Sequence, residues 1–439
     1  MFMFKLNKLL AAALPLGLLC VSAVQAETLN IVTVNNGHMI KMTELSKEYE
    51  KANPGVELNW ITLDEGTLRE RVTTDIASKG GQFDVMTIGM YETPIWAKRE
   101  WLVPIEATDA YDVDDILPAM RDGLSYDGKL YAAPFYGESS LLLYRKDLVK
   151  KAGKSIDGRP TWDQVKDIAA AIHNPDEGVY GICLRGRAGW GENMAFFGTL
   201  VNTFGGRWFD ENWQPQINTD AWKKATEFYV DLLTNYGPPN SENNSFNEIL
   251  KLTNEGKCGM WIDASIAASF VSDPKQGKYA NQMAFAQTPV EKTENGANWL
   301  WAWALAIPAS SQNVDEAQKF INWATSKEYI ELVAANDGWA SVPTGTRSST
   351  YANDNFKNAA KFAEAEFAAI QSADPNKSTL EAVPYVGVQF VTIPEFQAIG
   401  NFVKEQIQSV LTGKYTAEQA LKRGDKFAER ELKKAGYYK

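Results

Sequence analysis

The sequence predicts an α/β protein built as two lobes, and two observations carry that reading. β-rich apolar segments alternate with helical patterns through the first part of the chain, and alternation at this spacing implies a parallel sheet covered on both faces. The chain is also long: 439 residues, or 413 once a 26-residue leader is set aside, exceed what one hydrophobic core usually serves.

The leader comes first. Lys5 and Lys8 precede an apolar stretch from Leu9 to Val24, and Val24-Gln25-Ala26 ends it with small residues at its first and third places, so a signal peptide cleaved after Ala26 is expected. Cys20 follows Leu19 rather than the small residue that lipoprotein processing wants, which favours a cleaved signal over a lipid anchor. No later stretch is long and apolar enough for a membrane span.

Thr28 to Val34 reads as the first strand, and Met42, Leu45 and Tyr49 mark the first helix, which Asn53-Pro54-Gly55 breaks. Val56 to Leu63 is expected as a strand, Thr67 to Ser78 as a helix and Phe83 to Ile88 as a third strand. Ligands of such sheets bind beyond the carboxyl ends of the strands, here around Asn35, Asn36 and His38, Asp64 to Arg69, and Met90 to Glu92. Leu141 to Tyr144 is a further strand, after which helices dominate. Thr161-Trp162-Asp163-Gln164 is a capping box opening a helix with Val165, Ile168, Ala169 and Ile172 on one face. Trp222, Ala225, Phe228, Tyr229 and Leu232 repeat the helical spacing, and Thr416 to Gln419 caps a last amphipathic helix through Leu421, Phe427 and Leu432. The Asn-, Pro- and Gly-rich run from Gly237 to Asn247 reads as a surface loop.

Composition narrows the function classes. Without the leader, 42 basic residues face 55 acidic ones, a balance that disfavours nucleic acid and anionic membranes as partners. Only Cys183 and Cys258 follow the leader; an oxidising compartment would pair them if their Cα atoms lie within about 7 Å, and two separate buried thiols are the alternative. With just His38 and His173 in the chain, a histidine-rich metal site is excluded, and His173 beside Asn174-Pro175 reads as a helix-terminal residue. Ala152-Gly153-Lys154-Ser155 has Leu148 where a P-loop needs its first glycine. No cofactor or metal is expected. Paired carboxylates keep a secreted glycoside hydrolase as the enzymatic alternative.

Aromatic usage points instead to binding. In Asn298-Trp299-Leu300-Trp301-Ala302-Trp303, strand geometry would put the three indoles on one face, as core or as the flat wall that suits the C–H face of a sugar or sugar alcohol. Arg185 to Asn193 is a glycine-rich loop with mixed polar and aromatic side chains, and Asp263 either caps the helix that follows it or serves a ligand.

These residues resemble a family: the solute-binding proteins of bacterial ABC sugar importers. The likeness runs through Phe83-Asp84-Val85-Met86, Gly128 to Pro134, Leu142 to Leu148, Gly256 to Met260 and Leu305-Ala306-Ile307-Pro308, in order and spacing. Arg145, where many members have Asn or Asp, and Trp301, where they have small residues, depart from it. Pro134 to Ser140, the Gly189 to Asn193 loop and Gln389 to Phe396 look like the sorbitol/mannitol-binding branch.

The resemblance implies a periplasmic-binding-protein type II fold: two α/β lobes, three hinge crossings and the ligand cleft between the lobes. The crossings are expected at 137–140, 286–298 and 342–350, with 27–138 and 298–345 in one lobe and 139–297 and 346–439 in the other. It further implies a periplasmic monomer that delivers a polyol or sugar unchanged to membrane permease subunits. By position in the family pattern, Asn36 and Arg69 from the first lobe, Glu138 at the crossing, Arg187, Trp190 and Asn193 from the second lobe, Asp263 beneath it, a Trp301–Trp303 wall and Gln389 are the expected ligand residues.

Overall fold

The computed structural model describes residues 27–438. The expected signal peptide and its cleavage site therefore lie outside the described residues. No helix among the described residues is long and apolar enough to cross a membrane.

The chain builds two large sheets and a small two-stranded one, Ser125–Tyr126 with Lys129–Leu130. In the first, Glu27–Val34 pairs in parallel with Val56–Leu63 on one side and Val85–Gly89 on the other. Trp301–Pro308 enters next to Val85–Gly89 and runs antiparallel both to it and to Ala133–Glu138. The expectation of a parallel sheet is corrected at this strand. A parallel neighbour needs a crossover over the sheet face, whereas Trp301–Pro308 comes back from the second sheet and enters from the opposite end. That second sheet is antiparallel throughout, with Ser140–Arg145 between Met283–Gln287 and Met260–Ala264.

Local chemistry places the helices around these sheets. Asn36 leaves the first strand extended, accepts from the Met39 amide and starts helix Gly37–Ala52. Asp64 does the same for Glu65–Ser78 by accepting from the Thr67 amide, so this helix begins two residues before the apolar pattern does. Both helix starts thus lie directly beyond the carboxyl ends of parallel strands. The expected capping boxes at Thr161 and Thr416 are formed, opening Trp162–Ile172 and Ala417–Ala435. His173 is the C-cap residue of Trp162–Ile172, its Nδ1 beside the Tyr236 carbonyl.

Between the sheets the chain crosses three times. Ser139 alone separates Ala133–Glu138 from Ser140–Arg145. The second crossing runs from Met283–Gln287 to Trp301–Pro308, and the third passes Thr344 and Gly345, with the Gly137 amide donating to the Thr344 carbonyl. Cys183 and Cys258 form a disulfide with their Cα atoms 5.8 Å apart, which settles the choice left open by composition. The run from Gly237 to Asn247 is more than surface: Ser245 forms a capping box with Glu248, and Asn247 Nδ2 donates to the Asn35 carbonyl.

Candidate ligand-binding cleft

A cavity of about 210 Å³ lies between the two large sheets, with Glu138 at the first crossing and Trp299 of the second in its wall. It is smaller than the ~300–1,000 Å³ sites that take drug-sized ligands. Asn36, Arg69, Glu138, Arg187, Trp190, Trp301, Trp303 and Gln389 line it, as the sequence pattern places them. Asn193 and Asp263 do not. Asn193 is fully buried and its Oδ1 accepts from the Gly189 amide, so it shapes the glycine-rich loop from behind. Asp263, also fully buried, is consumed by Arg185, the Trp261 indole N–H and the Ala264 amide.

The aromatic wall comes from the strand geometry. Trp301 and Trp303 alternate onto the cavity face, with ring centroids 5.4 Å apart, and Trp299 joins them just before the strand begins. Trp190 approaches from the second lobe, edge-on to Trp301 at 6.0 Å. The Arg69 guanidinium fills the space between, 4.0 Å from the Trp190 ring and 4.8 Å from Trp301 and Trp303. Its donors go to Glu65 and Glu92. Arg69 is therefore a fixed cation holding up the wall.

Arg185 repeats this arrangement on the opposite side. It forks onto Asp263 at 2.6–3.1 Å and reaches the Gly191 carbonyl and Glu192. Burial disfavours its charge, but Asp263 and then Glu192 outweigh that and hold the guanidinium protonated. Arg187 sits at the mouth, half-exposed and paired with Glu248. Asn36 has Oδ1 on the Met39 amide and donates from Nδ2 to the Tyr136 hydroxyl, while Gln389 bonds both the N–H and the carbonyl of Leu300.

The carboxylates are less satisfied than the cations. Burial pushes Glu138 well above the ordinary carboxylate range, with Arg185 opposing the shift. Burial likewise pushes Glu192 up to about 7, again against Arg185 and reinforced by Glu65, although Ser245 Oγ donates to it at 2.6 Å. His38, on the cavity wall, is pulled down to about 4 by burial and is neutral at physiological pH. The site thus offers a wall of edge-packed indoles, two guanidinium groups held by protein carboxylates and carboxyl groups free to accept or share protons.

The ligand set expected from the family pattern omits His38, Glu65, Tyr136, Arg185, Glu192 and Trp299, all of which line the cavity, although the strand-end rule places His38 and Glu65 at the rim. Trp299 shares the alternation of Trp301 and Trp303, a signal present in the sequence. Arg185 and Glu192 lie in the glycine-rich loop already singled out, but which of its charges turn inward depends on Asp263, 78 residues away.

The sequence profile of the family "bacterial extracellular solute-binding protein" matches residues 37–331, a span that holds the aromatic wall and, apart from Glu27–Val34, the strands of the two sheets that flank the cavity. The chain belongs to this family. Solute-binding proteins are transport components rather than enzymes and work with ABC transporter permeases outside the cytoplasm. A mannitol-binding protein of Pseudomonas aeruginosa is 53% identical over 432 residues, covering 98% of each chain. An ABC transporter solute-binding protein of Agrobacterium vitis S4, solved with bound D-mannitol, is 55% identical with a TM-score of 0.93, covering 94% of this chain and 100% of that one. A ribitol complex from Agrobacterium radiobacter K84, 23% identical, has a TM-score of 0.81 over 93% of this chain and 99% of that one and shares the fold. This solute-binding protein accordingly has the type II architecture of two α/β lobes around a cleft.

Proposed function

We propose that this solute-binding protein captures a linear sugar alcohol of the mannitol or sorbitol type and presents it unchanged to an ABC permease. The observation that carries the reading is 55% identity, across nearly the whole chain, to a structure holding D-mannitol.

The chemistry of the cleft agrees. A hexitol is uncharged and rich in hydroxyls, each able to donate and accept. Glu138, Glu192 and Glu65 would accept from those hydroxyls, and the indoles would cover the C–H edge of the extended chain. A phosphate or carboxylate ligand would meet these acids with Arg69 and Arg185 already committed to protein partners. Neutral ligands are favoured on that ground. Asn193 and Asp263 act one layer out in this reading, holding the loop and Arg185, and Gln389 holds the second crossing.

Residues 27–138 with 298–345 would move as one body and 139–297 with 346–439 as the other, closing on the ligand about the crossings. The mature chain would start at Glu27 after signal cleavage, act as a monomer in the periplasm and offer both lobe surfaces to the permease.

Calorimetry on ligand-stripped protein with D-mannitol, D-sorbitol, D-arabitol, ribitol, D-glucose, maltose and glycerol 3-phosphate tests the assignment. Binding of mannitol or sorbitol at least about tenfold tighter than glucose, maltose and the phosphate is expected. Preference for a sugar or for the phosphate over both hexitols overturns it.

A further inference from the structure

Glu138 sits in the first crossing between two residues whose backbones are tied to other elements. On one side the Gly137 amide donates to the Thr344 carbonyl at 2.8 Å. On the other, the Ser139 amide donates to Ser265 Oγ at 3.2 Å and the Ser265 amide returns a bond to the Ser139 carbonyl at 2.7 Å. The hydroxyls of those same partners converge on one buried side chain. Thr344 Oγ1 and Ser265 Oγ donate to Glu366 Oε1 at 2.9 and 2.8 Å, and the Tyr351 hydroxyl donates to Oε2 at 2.8 Å while accepting from the Gly345 amide. Gly345 lies so tightly on Gly137 that neither has room for a Cβ.

Glu366, on helix Ala363–Ser372, is outside the ligand cavity and completely buried, and its hydrogen-bond partners among the described residues are these three hydroxyls. A buried carboxylate without a cation is costly. Three converging hydroxyl donors are what lets it persist, and each donor belongs to a segment that meets the crossings.

We propose that Glu366 is a positioning residue for ligand binding: through Thr344 and Ser265 it clamps the first and third crossings on both sides of Glu138 and sets where that carboxyl group stands in the cleft. The inference rests on the reading of Glu138 as a ligand residue. Burial pushes Glu366 up to about 7, against the pull of Tyr351, Ser265 and Thr344. The titratable groups coupled to it are Tyr351, which donates to it, and Glu138, whose ionisation its charge opposes. Protonating Glu366 removes the charge that strengthens the three hydroxyl bonds and adds a buried O–H donor beside them, so the bonds weaken. The clamp is complete above about pH 7 and loosened below it.

The test compares wild type, Glu366→Gln and Tyr351→Phe in the full mature chain. D-mannitol affinity is measured by calorimetry at about pH 6 and pH 8, and amide hydrogen exchange of the first crossing is measured without ligand at pH 8. Glu366→Gln should bind about fivefold more weakly than wild type at pH 8, the change expected for one lost hydrogen bond, and converge with wild type at pH 6. Its Gly137 and Ser139 amides should exchange faster by about tenfold. Tyr351→Phe, which deletes one donor to Glu366 and the acceptor of the Gly345 amide but leaves the Thr344 and Ser265 bonds to Glu366, should shift in the same direction. Equal affinity at both pH values, or a loss of the same size at both, would overturn the inference, because a merely structural side chain would not track pH. Should wild type itself fail to bind mannitol, the ligand reading falls and the exchange measurement alone decides: unchanged exchange in Glu366→Gln then removes the clamp.

Discussion

Glu138 shows how much a single buried carboxyl group can contribute. It is 7% exposed, faces the cavity and lies in the crossing itself. Replacing it by alanine should weaken hexitol binding at least about tenfold with the fold intact, since a ligand hydroxyl left buried without its partner costs ~1–3 kcal/mol; calorimetry with far-UV circular dichroism on the same sample checks both halves. Glu192 and Glu366 make a second prediction, about pH. Both are held at about 7 when folded, above the usual glutamate value of 4.5. The folded state therefore binds more protons than the unfolded one between those values. The stability they contribute is complete below about pH 4.5 and is lost as pH rises through 7. Urea denaturation should give a lower unfolding free energy at pH 8 than at pH 5.5, by about 1–3 kcal/mol per group, and Glu192→Gln should flatten its share.

At the scale of elements, the second lobe is braced where it holds Arg185. The disulfide ties Cys183, two residues before Arg185, to Cys258, just before the strand carrying Asp263. It closes a long loop, so Cys258→Ser should lower stability by roughly 2–5 kcal/mol in equilibrium denaturation. Hexitol affinity of the folded variant should stay within about threefold of wild type, since neither cysteine lines the cavity. A larger loss of affinity would mean that the bridge also orients the Arg185 fork. The helix starts illustrate a different economy. Asn36 and Asp64 each close a strand, cap a helix and line the cleft, so the signals that end local elements also build its first-lobe rim.

The whole molecule adds closure. Gly191 of the second lobe lies against Glu65 and Arg69 of the first, and a Cβ there would run into the Glu65 carboxylate. Asn247 reaches the Asn35 carbonyl across the same gap. Gly191→Ala should leave the isolated lobes intact yet hold them apart, weakening hexitol binding by about tenfold or more. Small-angle scattering with saturating mannitol should then show a larger radius of gyration than liganded wild type. Binding to the native state alone also predicts a rise in melting temperature with mannitol that is much reduced in this variant.

Local chemistry was readable directly from the residue order. Strand and helix alternation, the breaks at Asn53-Pro54-Gly55, the capping boxes at Thr161 and Thr416 and the alternating tryptophans all act within a few residues, so their partners lie close in sequence. Half of the eight expected residues that line the cleft do so for that reason: Asn36 stands beyond a strand end, Glu138 at the first crossing, and Trp301 and Trp303 on one face of a strand. Other features depend on pairs far apart in the chain. Arg185 is separated from Asp263 by 78 residues and Ser265 from Glu366 by 101. The antiparallel entry of Trp301–Pro308, the disulfide and the removal of Asp263 from the cavity surface arise in the same way. Whether a charged side chain turns toward a ligand or toward a buried partner is a competition for hydrogen bonds in three dimensions, and the competitors meet only once both lobes are packed around the crossings.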